Sequence, residues 1–280
     1  MKTQIPDALK QDLPQNKWGK ILTATPVVMT VIATLLAGLA SSEMTRAQYD
    51  RALGAQLQSK AGDQWSYFQA KKLRGAMQHN SLELLQATTD AEPVKNVTLE
   101  KLPTVPTPQM DDTVKAALEM IESQKPEAEI TEMLKHVEET KLAAALRSTR
   151  DAARDFDAGM AAPNQTLEQL ENSVPPSDKP LRQNLTAAKM RFSAMRYDAE
   201  AKLNQGIANL LELQVRKTNI SAERHHKRSG KFFFGMLAAQ AAVIVSTFAL
   251  AAQKRSLLWT LAAAAGLAAI IFAIYVYLRV

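Results

Sequence analysis

The chain reads as all-α. It is expected to have three transmembrane helices, one N-terminal and two forming a C-terminal hairpin, and a long helical, coiled-coil region outside the bilayer. Three observations predict this. Ile21–Ala40, Phe232–Ala252 and Leu257–Leu278 run for 20, 21 and 22 residues without a charged side chain. At about 1.5 Å per helical residue, each crosses a hydrocarbon core of roughly 30 Å. Between the first and second runs, apolar residues recur at spacings of three and four, the helical period. Prolines gather in two patches, about 91–109 and 162–180, which divide the helices.

Residues 1–20 are polar and hold Lys2, Lys10, Lys17, Lys20, Pro6 and Pro14, the composition of a loose tail. The first span, 21–40, carries Pro26 near its start, where a helix tolerates proline best. Gly38-Leu39-Ala40 has the small-residue character of a signal-peptidase site. The long segment before it favours an uncleaved anchor. Residues 41–231 form the extramembrane region. Within it, 42–89 continue the first helix, with Tyr49, Leu53, Leu57, Ala61 and Trp65 at intervals of four. Pro93, Pro103, Pro106 and Pro108 then forbid a continuous helix and predict an extended connector.

Residues 111–124 predict a short acidic helix, with Val114, Ala117, Leu118 and Ile121 on one side. After Pro126, Ile130, Leu134 and Val137 open a helix expected to run to about Gly159. Residues 162–180, with Pro163, Pro175, Pro176 and Pro180, read as loop. From Leu181 a long helix follows. Leu181, Leu185, Ala188, Phe192, Met195 and Ala199 step by four and three, the spacing of a coiled-coil seam. No break precedes Phe232, so this helix is expected to enter the second span, 232–252, directly. Gln253-Lys254-Arg255-Ser256 is long enough only for a tight turn into the third span, 257–278. Trp259, Tyr275 and Tyr277 sit near its ends as interface aromatics.

The most distinctive stretch is Ser59–Lys72. Trp65 and Phe68 share a helical face with Ala61 and Lys72, and Asp63, Tyr67 and Lys71 form a ladder at spacing four. Gln64 and Gln69 add amide donors and acceptors. Nothing near pairs a nucleophile with a base, so the stretch is expected to pack or dock rather than catalyse. Trp and Tyr concentrate at interfaces, which favours docking as the functional role.

The run Asp63-Gln64-Trp65-x-Tyr67-Phe68-Gln69-Ala70-Lys71 resembles the hallmark of a bacterial membrane family, domain of unknown function 4337. That resemblance implies an N-terminal transmembrane helix before the motif, a variable helical region after it, and two closely spaced transmembrane helices joined by a short basic turn. Lys17-Trp18 and Lys254-Arg255 match this layout. The resemblance covers about 17–85 and 225–280 and leaves 90–200 unmatched. The family carries no established activity, so the resemblance implies architecture alone.

The net charge of +6 is unevenly distributed. Residues 90–140 hold 12 acidic and 5 basic residues, whereas 201–231 hold 2 acidic and 7 basic. The basic excess adjoins a span, where Lys and Arg meet lipid headgroups, so nucleic acid is not an expected partner. Arg224, Lys227, Arg228 and Lys231 form the juxtamembrane basic group. His225 and His226 are adjacent and point about 100° apart on a helix, a poor arrangement for one metal. With no cysteine, thiolate chemistry is excluded. The three spans hold no charged residue, which argues against a proton or ion path.

The sequence therefore predicts no catalytic residue, no metal site and no cofactor. It predicts a non-enzymatic membrane scaffold whose partners are the lipid bilayer and either further copies of itself or another membrane protein. An accessory subunit of a transporter or respiratory-type complex is the alternative. Lys2, Lys10, Lys17, Lys20, Lys254 and Arg255 fall on one side and Arg279 on the other. That bias predicts a multi-pass inner-membrane protein with residues 41–231 in the periplasm.

Overall fold

The computed structural model describes residues 17–251 and 257–279. The polar tail up to residue 16 and the Lys254-Arg255 turn lie outside the described residues. Among those described there are helices and no strand. In chain order the helices are α1 (Lys17–Thr88), α2 (Val97–Glu100), α3 (Asp112–Glu122), α4 (Glu127–His136), α5 (Glu139–Gly159), α6 (Ala161–Ser173), α7 (Lys179–Ala251) and α8 (Leu257–Arg279). The chain divides into two compact units, one of residues 1–51 and 221–280 and the other of residues 52–220.

Both α1 and α7 are long and apolar enough to cross a membrane. The third expected span falls on α8, whose described apolar stretch is Thr260–Phe272. That is short of a crossing, so the count among described residues is two rather than three. The side chains of residues 257–259, 273, 276, 277 and 279 of α8 are outside the description.

In the first unit, α1, α7 and α8 meet through small residues. Ala33, Ala239 and Ala269 pack in one buried cluster, and Leu36, Ala40 and Phe232 in another. Alanine contacts let helix axes approach closely, the usual device where apolar solvent gives helices no reason to associate. Because α1 begins at Lys17, Pro26 lies inside the helix rather than near its start. The helix continues through it, although proline offers no amide to the preceding turn. Thr30 Oγ1 donates to the Pro26 carbonyl at 2.8 Å.

The second unit has two cores. In one, Val114 and Ala117 of α3, Ile130 and Leu134 of α4, and Leu142, Ala145 and Leu146 of α5 pack against Ala61 of α1 and Ile207, Leu210 and Leu211 of α7. In the other, Leu99, Phe156, Met160, Phe192 and Leu203 are buried, with Leu167 and Leu170 of α6 against them. The face of α7 that reads as a coiled-coil seam thus meets residues of α2, α5 and α6 at Phe192 and Ala199. Leu185, Ala188 and Phe192 are buried there, while Leu181 is exposed.

Two connections differ from expectation. The helix expected from 127 to 159 breaks at Val137, whose backbone is extended and whose side chain is buried. The break is stabilised from α7. Lys217 Nζ donates to the carbonyls of Leu134 and Lys135 at 2.8 and 3.3 Å, and Arg216 pairs with Glu127 at the other end of α4. Lysine is suited to the C-terminal carbonyls, where the helix dipole is negative.

The second difference is α6, a helix where loop is expected. Pro163 lies in its first turn, where no intrahelical amide is needed. Pro163, Leu167 and Leu170 make an apolar face at helical spacing, two of them meeting the second core. The Pro-rich connector is laid onto the unit. Val94 and Glu92 amides donate to the backbone and side-chain oxygens of Asn184. Gly159 admits Pro103 so closely that an added Cβ would lie 3.0 Å from the proline ring.

Candidate functional site

The Ser59–Lys72 stretch lies on α1 in the second unit, facing α7. Trp65 is half-buried, and its Nε1 donates to Glu212 Oε1 at 2.6 Å. Its ring meets Phe68 edge to face with centroids 5.4 Å apart. Lys71 turns to Glu200 of α7 and lies 5.4 Å above the Tyr197 ring. Glu200 is only 5% exposed, and Arg196 Nε donates to its Oε1 at 2.6 Å. A buried carboxylate is tolerated because two cations neutralise it.

The Asp63–Tyr67–Lys71 ladder therefore does not close on itself, since its base is engaged across the helix pair. Asp63, Tyr67 and Gln69 are exposed, Tyr67 by 57%. Gln64, Tyr67 and Lys71, spaced three and four apart, line a cleft of about 440 Å³ shared with Asp157, Asn164, Arg196 and Asn204. Gln64 Oε1 is buried there without a protein hydrogen bond.

The sequence missed Glu200, Glu212 and Asp198 as partners. Asp198 receives Lys72 and His79 at 3.4 and 3.7 Å. Their signal is a line of acids on α7 at 198 and 200, then 212, which spacing along α1 cannot reveal.

In the first unit the basic residues are individually placed. Glu43 is 7% exposed, with His225 Nδ1 at 2.5 Å and Arg228 at 3.7 Å. Ser229 Oγ donates to the Ala40 carbonyl at 2.7 Å beside it. Lys227 pairs with Glu223 at 3.3 Å, and Lys231 lies 5.6 Å over the Tyr275 ring. Arg224 is exposed and engaged in an interaction of its own. His226 faces away from His225, as adjacent helical positions dictate. Among the described residues no group of three His, Asp or Glu side chains is placed to hold a metal ion.

These features define an all-helical protein built on two helices of membrane-crossing length, tied together by charge pairs and a tryptophan. The chain belongs to the family described as Domain of unknown function (DUF4337), which matches residues 18–163, just over half of its 280 residues. That match takes in 90–163, where the motif resemblance does not extend, and does not include 225–280, where the resemblance is expected. No curated protein and no solved structure matches the chain.

Proposed function

We propose that the protein is an integral membrane scaffold that associates with copies of itself and performs no catalysis. The observation that carries the membrane half is a band of bare apolar side chains. Val27, Val28, Val31 and Leu35 of α1, Phe233, Phe234, Ile244 and Phe248 of α7, and Leu261, Leu267, Ile271 and Ile274 of α8 are all exposed. Water does not tolerate so many in adjacent turns, and lipid does. On this reading α8 is the third span and forms a hairpin with α7. Resistance to carbonate extraction is the expected result; release into the supernatant would remove the proposal.

Self-association is supported by the outward line of α1. Leu73, Met77 and Leu84 are 63, 58 and 66% exposed and lie within about 40° of one another at 100° per residue. Ala55, Gly62, Ser66, Ala70, Asn80 and Ala87 are exposed on the same line, which carries no charge. A surface without charge has nothing to offer a charged partner and is complementary to itself, as a two-fold interface requires. Light scattering in mild detergent should show an oligomer for the natural chain and a monomer for Leu73→Glu/Met77→Glu. Co-purification of a larger catalytic complex in place of a homo-oligomer would favour the accessory-subunit alternative.

The site is taken to be the inner membrane of a bacterium, with residues 41–231 in the periplasm. An alkaline phosphatase fusion at Pro106 should be active, and an inactive fusion reverses the orientation.

A further inference from the structure

Between α1 and α7 in the first unit lies a groove of about 490 Å³. That is within the roughly 300–1,000 Å³ of small-molecule sites. Ala37, Ala40 and Met44 form one wall, and Ser229, Gly230 and Phe233 the other. The lining is almost all carbon, and Ser229 has already given its hydroxyl to Ala40. On both helices the lining recurs at helical spacing, so the groove runs along the pair rather than into it.

The groove crosses a change in chemistry. Residues 23–40 and 232–249 carry no charge, whereas 41–51 and 221–231 carry Glu43, Asp50 and Glu223 against Arg46, Arg51, Arg224, Lys227, Arg228 and Lys231. That leaves an excess of three positive charges beside one end. Glu43 is already engaged by His225 and Arg228. His226 stands exposed on the rim. Gly230 matters most to the shape. A Cβ built there meets nothing within 4 Å, so the missing side chain is what leaves the space open. Glycine weakens a helix interior, and nothing in the backbone here demands it.

We infer that this groove binds one acyl chain of an anionic phospholipid, with the phosphate at the level of His226, Lys227 and Lys231. This rests on the membrane reading above. The apolar lining selects hydrocarbon, the His226 end of the lining lies in the charged segment, and the local positive excess selects a negative headgroup.

The test uses the full chain, carbonate-resistant and then delipidated in mild detergent, titrated with phosphatidylglycerol or phosphatidylcholine and read by native mass spectrometry. The natural protein should retain one phosphatidylglycerol per chain, with affinity at least about tenfold above phosphatidylcholine. Gly230→Leu should lose the adduct while circular dichroism and membrane insertion stay unchanged. Ala37→Leu fills the groove from the opposite wall and should do the same. Lys227→Gln/Lys231→Gln should bind both lipids equally. Equal binding of the two lipids by the natural protein, or an undiminished adduct in both groove-filling variants, overturns the site. Loss of carbonate resistance at the first step instead removes the membrane reading on which it stands.

Discussion

Glu200 shows what a single residue settles in this protein. Its carboxylate is buried between Lys71 and Arg196, so removing either cation leaves a buried charge with one partner in place of two. Lys71→Met is expected to destabilise the 52–220 unit by about 1–3 kcal/mol in chemical unfolding, with Lys71→Arg restoring most of it. Gln124 makes the opposite case. Its φ of 53° is left-handed, and it ends α3 with its own amide on Ile121 and that of Lys125 on Met120. Glycine is the residue this geometry favours, so Gln124→Gly should raise stability by about 0.5–1 kcal/mol by the same measurement. Neither residue stands out in the sequence. The face shared by Trp65 and Phe68 did, because helical spacing is local. Glu212, 147 positions away from Trp65, could not, because its arrival depends on the register of α7 against α1.

At the scale of elements, caps and breaks decide the outcome. Asp111 caps α3, accepting from the Thr113 hydroxyl at 2.5 Å and its amide at 3.0 Å, and pairs with Lys141 of α5 at 3.2 Å. Those bonds, the Thr113 hydroxyl first, hold its carboxyl down at about 2. A depressed folded value means the contribution is complete above the unfolded carboxylate range near about 4 and is lost as pH falls from there through about 2. Unfolding followed across that window should show the loss, and Asp111→Asn should flatten it. Lys141 is held above its usual value by the same bond, so its contribution is present below about 10.4 and fades only as pH rises beyond that.

The long helices were legible from periodicity alone. The break at Val137 was not, because an unbroken apolar pattern continues through it and the compensating donor, Lys217, sits on another helix. Helix α6 was hidden by its prolines. Pro163 reads as a breaker until its place in a first turn is known.

For the whole molecule, stability is expected to reside in the core of the second unit. Phe156 is 1% exposed among Leu99, Met160 and Phe192. Phe156→Ala should cost about 3–5 kcal/mol, read as a lower midpoint for the 52–220 unit in denaturant. The all-helical class and two membrane-length helices were readable because each rests on composition over many residues. The coiled-coil reading was not a safe extension. Its seam is real as an apolar face, but at Phe192 and Ala199 that face meets residues of α2, α5 and α6 of the same chain. The family match reaches residue 163 and so takes in α2 to α5, of which α3, α4 and α5 pack against Ala61 of α1 in the second unit.

The clamp on α4 has one more consequence. Ten residues are too few to stay helical alone in water, and this helix is gripped at its two ends by neighbouring cations, Arg216 and Lys217. Arg216 and Glu127 are both within reach of dissolved ions, so ionic strength acts as a handle on this helix. A rising salt gradient should free α4 ahead of its neighbours, visible as early amide exchange across 127–136.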